Sequence, residues 1–251
     1  MTDLLRLLPP VLRARDYHLY LEGGKRITDL WLSGGKAVLG HKPPRVLGEL
    51  KNAAERGLFS PLPHPVEKRF IKALGGLFPG RSFRLYADDN SLSRALEEAG
   101  FSGKVSLWRP FMDRDGEDNF PVLVPVLPWS QGPAVLALEK SAEASFPSGD
   151  LVPPVLLAPS VRALYDLAAA LKTFVLGRIM YPKIEKVLAK GRYSRQGIYL
   201  TVEPAIESEK YEVLFRRFLE GGFLIPPSAR EPIILPLSMP PGEEAKLARL
   251  L

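Results

Sequence analysis

"GLFSPLPHPVEKRFIKALGGLFPGRSFRLYADDNSLSRAL", residues 57–96, reads as a loop, a helix, a strand and a second helix. Pro65 starts the first helix and sets Val66, Phe70, Ile71, Leu74 and Leu77 on one face. "SFRLYA" follows as a short strand. Asn90 can cap the next helix, whose apolar positions are Leu92, Ala95, Leu96 and Ala99. A strand running through a tight turn into a helix is the α/β unit whose turn ordinarily receives an anion. Here that turn is "YADDNS", and Asp88 and Asp89 fill it with negative charge.

Upstream, "YHLYLEGGKRITDLWL" places two β-rich runs around Glu22-Gly23-Gly24-Lys25, a hairpin signal because glycine supplies the positive φ of a tight turn. From Pro44 to Arg56 the apolar residues Val46, Leu47, Leu50, Ala53 and Ala54 recur at helical spacing, and Gly57 closes that helix. Downstream, "KVSLW", "PVLVPVL" and "AVLALE" read as short strands separated by Pro, Gly and acidic turns. A long helix is expected from Ser160 and another after Pro182. The chain then closes as strand "GIYLTVE", helix "SEKYEVLFRRFLEGG", strand "PIILPLS" and a terminal helix from Gly242, the pattern of a small α/β lobe.

The chain has 251 residues, 46% of them apolar, and can bury one sizeable core or two modest ones. With no cysteine it has no disulfide, no thiolate zinc site and no cysteine nucleophile, which fits a reducing cytosol. Its three histidines all precede residue 65 and none stand at i, i+4 spacing, against a histidine metal site. No stretch reads as a signal sequence or as the ~20 apolar residues of a membrane span. The net charge of +6 is scattered over amphipathic patterns such as "LFRRFL", so no nucleic-acid face is expected. The expectation is a cytoplasmic protein with neither nucleic acid nor membrane as partner.

Residues 17–61 resemble the N-terminal region of class III pyridoxal-phosphate-dependent aminotransferases: within "LEGGKRITDLWLSGGKAVLGHKPPRVLGEL", residues 21–50, Gly24, Asp29, Ser33, Gly35, Leu39, Gly40, His41 and Pro44 are in place. "YEVLFRRFLEGGFLIPPSAREPIILPLS", residues 211–238, is similar to the closing domain of the same class, the glutamate-semialdehyde aminomutase branch in particular. The resemblance implies an α/β chain of reduced fold-type-I aminotransferase architecture. Its parts would be an N-terminal hairpin arm with a first helix (residues 1–61), a shortened central sheet domain (62–175) and a small C-terminal α/β lobe (176–251). It also implies a homodimer, since both matched regions contribute to the family's dimer.

Between those regions the resemblance fails. The family's turn "NSGSEANEAAL" cradles the cofactor phosphate, and Asp88, Asp89, Asn90 and Ser91 stand in its place. Two carboxylates within ~5 Å of a phosphate dianion would repel it by kcal-scale energies. No lysine lies between Ala142 and Leu171, where the Schiff-base lysine would belong, and no "DEVxxGxGR" run is present. Without these groups transamination has no electron sink.

The expected reading is therefore a non-catalytic protein that keeps the dimer scaffold and needs no cofactor. The alternative is an aminotransferase or aminomutase that still uses pyridoxal phosphate, or a binder of an amino acid or keto acid in the remaining cleft. Under that alternative Lys140, at the end of an apolar strand, is the candidate imine former if burial leaves it neutral. The bland reading is an exposed strand-end lysine beside Glu139 and Glu143. Ser33, Gly35 and His41 in the arm are candidate ligand contacts, although His41, with no partner visible in sequence, reads first as a scaffold histidine. Arg230 in "PPSAREP" can grip a carboxylate bidentately. Asp88 and Asp89 are read by default as helix-capping acids.

Overall fold

A computed structural model describes residues 4–101, 103–112, 120–174, 181–189, 191, 193–202 and 207–251. Two compact units emerge, and neither is continuous in sequence. One joins residues 1–42 and 111–113 to 174–251, the other holds 43–110 and 114–173. The expected boundary near 175 falls at 173/174, whereas that near 61 moves to 42/43: the arm belongs with the C-terminal segment, and the first helix belongs with the central region. The physical reason is strand pairing between the two ends of the chain.

The arm supplies β1 (Val11–Arg15), β2 (His18–Leu21) and β3 (Arg26–Asp29). β2 and β3 form the expected hairpin, His18 opposite Thr28 and Tyr20 opposite Arg26, with Gly23 and Gly24 at φ 79° and 80° in its turn. β1 is an addition to the expected arm. It pairs antiparallel with β2 across a turn in which Asp16 takes φ 51°, and Arg13 stacks 4.1 Å over Tyr20. Its mostly exposed side chains leave no alternation to read, as suits an edge strand. His18 consequently lies on an inner strand, and its Nε2 meets Glu243 at 3.1 Å.

The central region follows the sequence closely. Helix α1 spans Pro44–Glu55 and ends in a Schellman motif, with Gly57 N–H on Ala54 O at 2.9 Å and Leu58 N–H on Ala53 O at 3.3 Å. Helix α2 (Val66–Leu77), strand β4 (Ser82–Tyr86) and helix α3 (Asp89–Glu98) come next. Strands β5 (Val105–Trp108), β6 (Val122–Pro125) and β7 (Ala134–Leu138) complete a sheet ordered β4-β7-β6-β5. The acidic turn at residues 113–119 lies outside the described residues. All five residues of β7 are buried, which explains its unbroken apolar run. On one face α3 seals Leu92 and Ala95 over Val122, Leu136 and Leu138. On the other, Phe78 packs edge-on against Trp108 with ring centroids 4.9 Å apart.

Helix α4 spans Pro154–Thr173 and starts six residues before the expected Ser160. Pro154 sits in its first turn, where the missing N–H costs nothing, and Val155 N–H is taken by Leu58 O at 3.0 Å. Only Pro159 interrupts the ladder. By length and mean hydropathy (1.3) α4 could cross a membrane, contrary to the expectation that no stretch would. It is half buried within the protein, packs on α1 and α2, and carries the Arg162–Asp166 ion pair, so it reads as a core helix.

The other unit is completed by α5 (Pro182–Leu188), the hairpin β8 (Tyr193–Gln196) and β9 (Tyr199–Val202), α6 (Ser208–Glu220), β10 (Phe223–Leu224), β11 (Ile233–Ile234) and α7 (Pro241–Leu250). β10 pairs parallel with β3, Phe223 opposite Thr28, which ties the chain's ends into one sheet. Glu243 on α7 receives His18, Arg26 and Thr28 from β2 and β3. The adjacent Glu244 is buried and accepts Lys183 N–H at 2.6 Å, capping α5 from a distance.

Candidate functional site

Two places hold the residues singled out in sequence, one in each unit. The first is the loop between β3 and residue 41. Asp29, only 2% exposed, accepts the N–H groups of Trp31 and Leu32 on Oδ1, at 2.8 and 2.9 Å. Its Oδ2 lies 2.8 Å from His41 Nε2, so the ring N–H donates to the carboxylate. The reading of His41 as partnerless is corrected: its partner stands twelve residues earlier. The sequence signals only Asp29's local bonds, as an aspartate two residues before a turn where Asx side chains commonly hold the backbone, and not the bond to His41.

Between them the backbone is strained. Leu32, Ser33, Gly34 and Gly35 all take positive φ, 49°, 52°, 68° and 102°. For leucine and serine this conformation costs on the order of 1–3 kcal/mol each and persists only where the surroundings over-determine it. Those surroundings are the two bonds from Asp29, the wholly buried Leu32 side chain, and Glu231, whose Oε2 accepts Trp31 Nε1–H at 2.9 Å. Gly40, at φ 92°, passes so close to the β1–β2 turn that a Cβ would lie 3.3 Å from Asp16 backbone atoms. His41 N–H bonds Asp16 O there at 2.8 Å.

The structure thus gathers Ser33, Gly35 and His41 with Asp29, Trp31 and Glu231; the last three were not weighed as site residues in sequence. Arg230 neighbours Glu231 in a turn where Ser228 Oγ accepts Arg230 N–H at 3.3 Å, and its side chain is exposed. Among the described residues the Ser33 hydroxyl makes no hydrogen bond with His41. Ser33 is therefore not placed as the nucleophile of a hydrolytic relay with the Asp–His pair. Nearby tyrosines are held protonated. Burial pushes the Tyr17 hydroxyl up to about 12, and that hydroxyl donates to Val38 O at 3.2 Å. Burial likewise raises Tyr211, which donates to Pro226 O at 2.8 Å.

The second place is the turn after β4. Asp88, in extended conformation, is the N-cap of α3, and its Oδ1 accepts Ser91 N–H at 2.7 Å. Asn90 is not the cap, since the helix already includes Asp89. Hydrogen bonding by the Ser91 backbone, then by its side chain, holds the Asp88 carboxyl below the usual aspartate range. Ser91 Oγ also receives Arg94 at 3.3 Å. Asp88, Asp89 and Asn90 are exposed, Ser91 half-buried. Lys140 stands exposed in the turn after β7, as the bland reading has it, without the burial that would neutralise an amine. Among the described lysines none is buried and Lys36 alone is half-buried. No three His, Cys, Asp or Glu side chains converge on a metal-sized site among the described residues.

No family model matches the chain. It is similar to an uncharacterized protein of Treponema pallidum, 28% identical over 93% of this chain and 91% of that protein. A shorter stretch, 27% of the chain, is 33% identical to 16% of the glutamate-1-semialdehyde 2,1-aminomutase of Clostridium acetobutylicum. Among solved structures it resembles ornithine δ-aminotransferase of Plasmodium falciparum, with TM-score 0.71 and 11% identity over 96% of this chain and 91% of that one. Acetylornithine aminotransferase of Elizabethkingia anophelis gives 0.68, 11%, 96% and 91%. The chain has the mixed α/β fold of class III aminotransferase structures over most of its length.

Proposed function

We propose that the protein is a non-catalytic member of the aminotransferase fold, cytoplasmic and homodimeric, whose retained arm and lobe serve folding and self-association. The observation that carries this reading is the Asp88 carboxylate on Ser91 N–H. A bound phosphate would need the free donors at this helix start, and the chain's own acid takes one of them, Ser91 N–H, with a second acid, Asp89, beside it. The residues present do not fit a phosphorylated cofactor. The exposure of every described lysine except the half-buried Lys36 supports the same conclusion, because a Schiff-base lysine works desolvated in a closed site.

Support for self-association comes from apolar side chains left in water on the arm and on the segment between α1 and α2. Val11 and Leu12 on β1 are 45% and 71% exposed, and Phe59 and Leu62, between α1 and α2, 60% and 64%. Analytical ultracentrifugation at micromolar concentration tests it: a dimer is expected, and Leu12→Glu or Phe59→Glu should shift it toward monomer. A wild-type monomer would remove the scaffold role.

A further inference from the structure

We propose that the central unit carries a binding site for a small organic carboxylate, in a cleft where the last turns of α1 meet the first turns of α2 and α4. The cleft encloses about 270 Å³, near the lower end of small-molecule sites and too little for a dinucleotide. Its polar lining is Glu49, Asn52, Arg56, His64 and Arg69. The helical period explains the convergence: Glu49 and Asn52, spaced i, i+3 on α1, and Arg56, its C-cap one turn further on, follow one face, while Arg69 lies one turn into α2 from Val66. Apolar groups, among them Leu58 and Ala158, supply the rest of the wall and suit the body of an organic ligand.

Charge selects the ligand. The other described arginines of this unit are engaged: Arg45 with Asp166 at 3.0 Å, Arg81 with Phe120 O at 2.8 Å, Arg84 with Glu143 at 3.4 Å, Arg94 with Ser91, Arg162 with Asp166, and Arg109 as well. Arg56 and Arg69 alone have no hydrogen-bond or ion-pair partner among the described residues, and both line the cleft. His64 accepts Val66 N–H on Nδ1 at 3.1 Å, which leaves Nε2 as a further donor. Two guanidinium forks and an imidazole N–H match a carboxylate. Glu49 in the same lining disfavours polyanions and offers an acceptor to a hydroxyl or ammonium on the ligand. The site lies wholly within the central unit and does not rest on self-association.

The test is a ¹H–¹⁵N NMR titration of the full chain with malonate, at fixed ionic strength. Saturable binding is expected, with shifts confined to residues 49–69 and 154–158. Arg56→Gln and Arg69→Gln should each weaken it about tenfold, the loss of one charge-assisted contact. Arg45→Gln, a paired arginine of the same unit, should leave it unchanged. Both cleft arginines are exposed, so the variants fold, which circular dichroism checks. No saturable binding, binding indifferent to the two variants, or equal binding of inorganic phosphate would each overturn the carboxylate assignment. So would variants that change the sedimentation coefficient without any malonate effect, since the cleft would then receive a side chain of a second copy.

Discussion

Asp29 and Asp88 do the same local job, each accepting backbone N–H groups at the start of a turn, yet Asp29 is 2% exposed and Asp88 lies open to water. Around Asp29 the fold holds two left-handed non-glycine residues, a histidine and a long-range tryptophan–glutamate bond. Around Asp88 it holds an ordinary helix start. The difference teaches which feature the chain depends on. A buried carboxylate with several donors cannot be removed without stranding them, whereas an exposed cap is exchangeable chemistry.

The largest effect is expected from Asp29→Ala. It leaves two N–H groups and His41 without their acceptor, and should lower stability by about 3 kcal/mol in chemical denaturation. A loss below that of an ordinary surface substitution would mean the loop is not held by Asp29. Gly40→Ala comes next, at about 2 kcal/mol, because alanine is strained at φ 92° and meets the Asp16 backbone.

That contrast was only half legible in the sequence. Helices α1, α2 and α3 and strands β4 to β7 announced themselves through caps and apolar periodicity, Gly57 and Pro65 marking the breaks where they fall. What could not be read was anything decided by distant partners. β10 has two residues and exists because β3 offers it an edge. β1 and β8 lack a buried alternation. Pro159 hid the first turns of α4, since a breaker read locally is tolerated when the helix packs on α1 and α2. The Asp29–His41 bond spans a loop whose strained turns bring its ends together, and no spacing rule announces that closure.

Asp88→Ala should be milder than either loop variant, and its size should depend on pH. The Asp88 carboxyl is held below its ordinary value of 3.8 in the folded state. Its contribution is therefore complete above that value and lost as the pH falls through the lowered folded value. The gap in thermal midpoint between wild type and variant should accordingly close on acidification below the ordinary aspartate range. A gap that persists there would assign the effect to helix propensity rather than to the charged cap.

The smallest effect belongs to the double variant Asp88→Gly with Asp89→Ser. With both acids gone, inorganic phosphate should produce weak chemical-shift changes at residues 88–92, which the wild type should not show. Identical phosphate behaviour of the two proteins would sever the proposed link between this turn and the phosphate cradle of class III aminotransferases.

The most direct measurement of the central claim is borohydride reduction of the wild-type protein mixed with one equivalent of pyridoxal phosphate, followed by peptide mass spectrometry. The expected result is scattered, substoichiometric labelling of exposed lysines, Lys140 no more than the rest, because no described lysine is buried and Asp88 occupies the helix start. Stoichiometric labelling of one lysine, with a visible absorbance band abolished by its replacement, would contradict it and make the chain a working pyridoxal-phosphate protein.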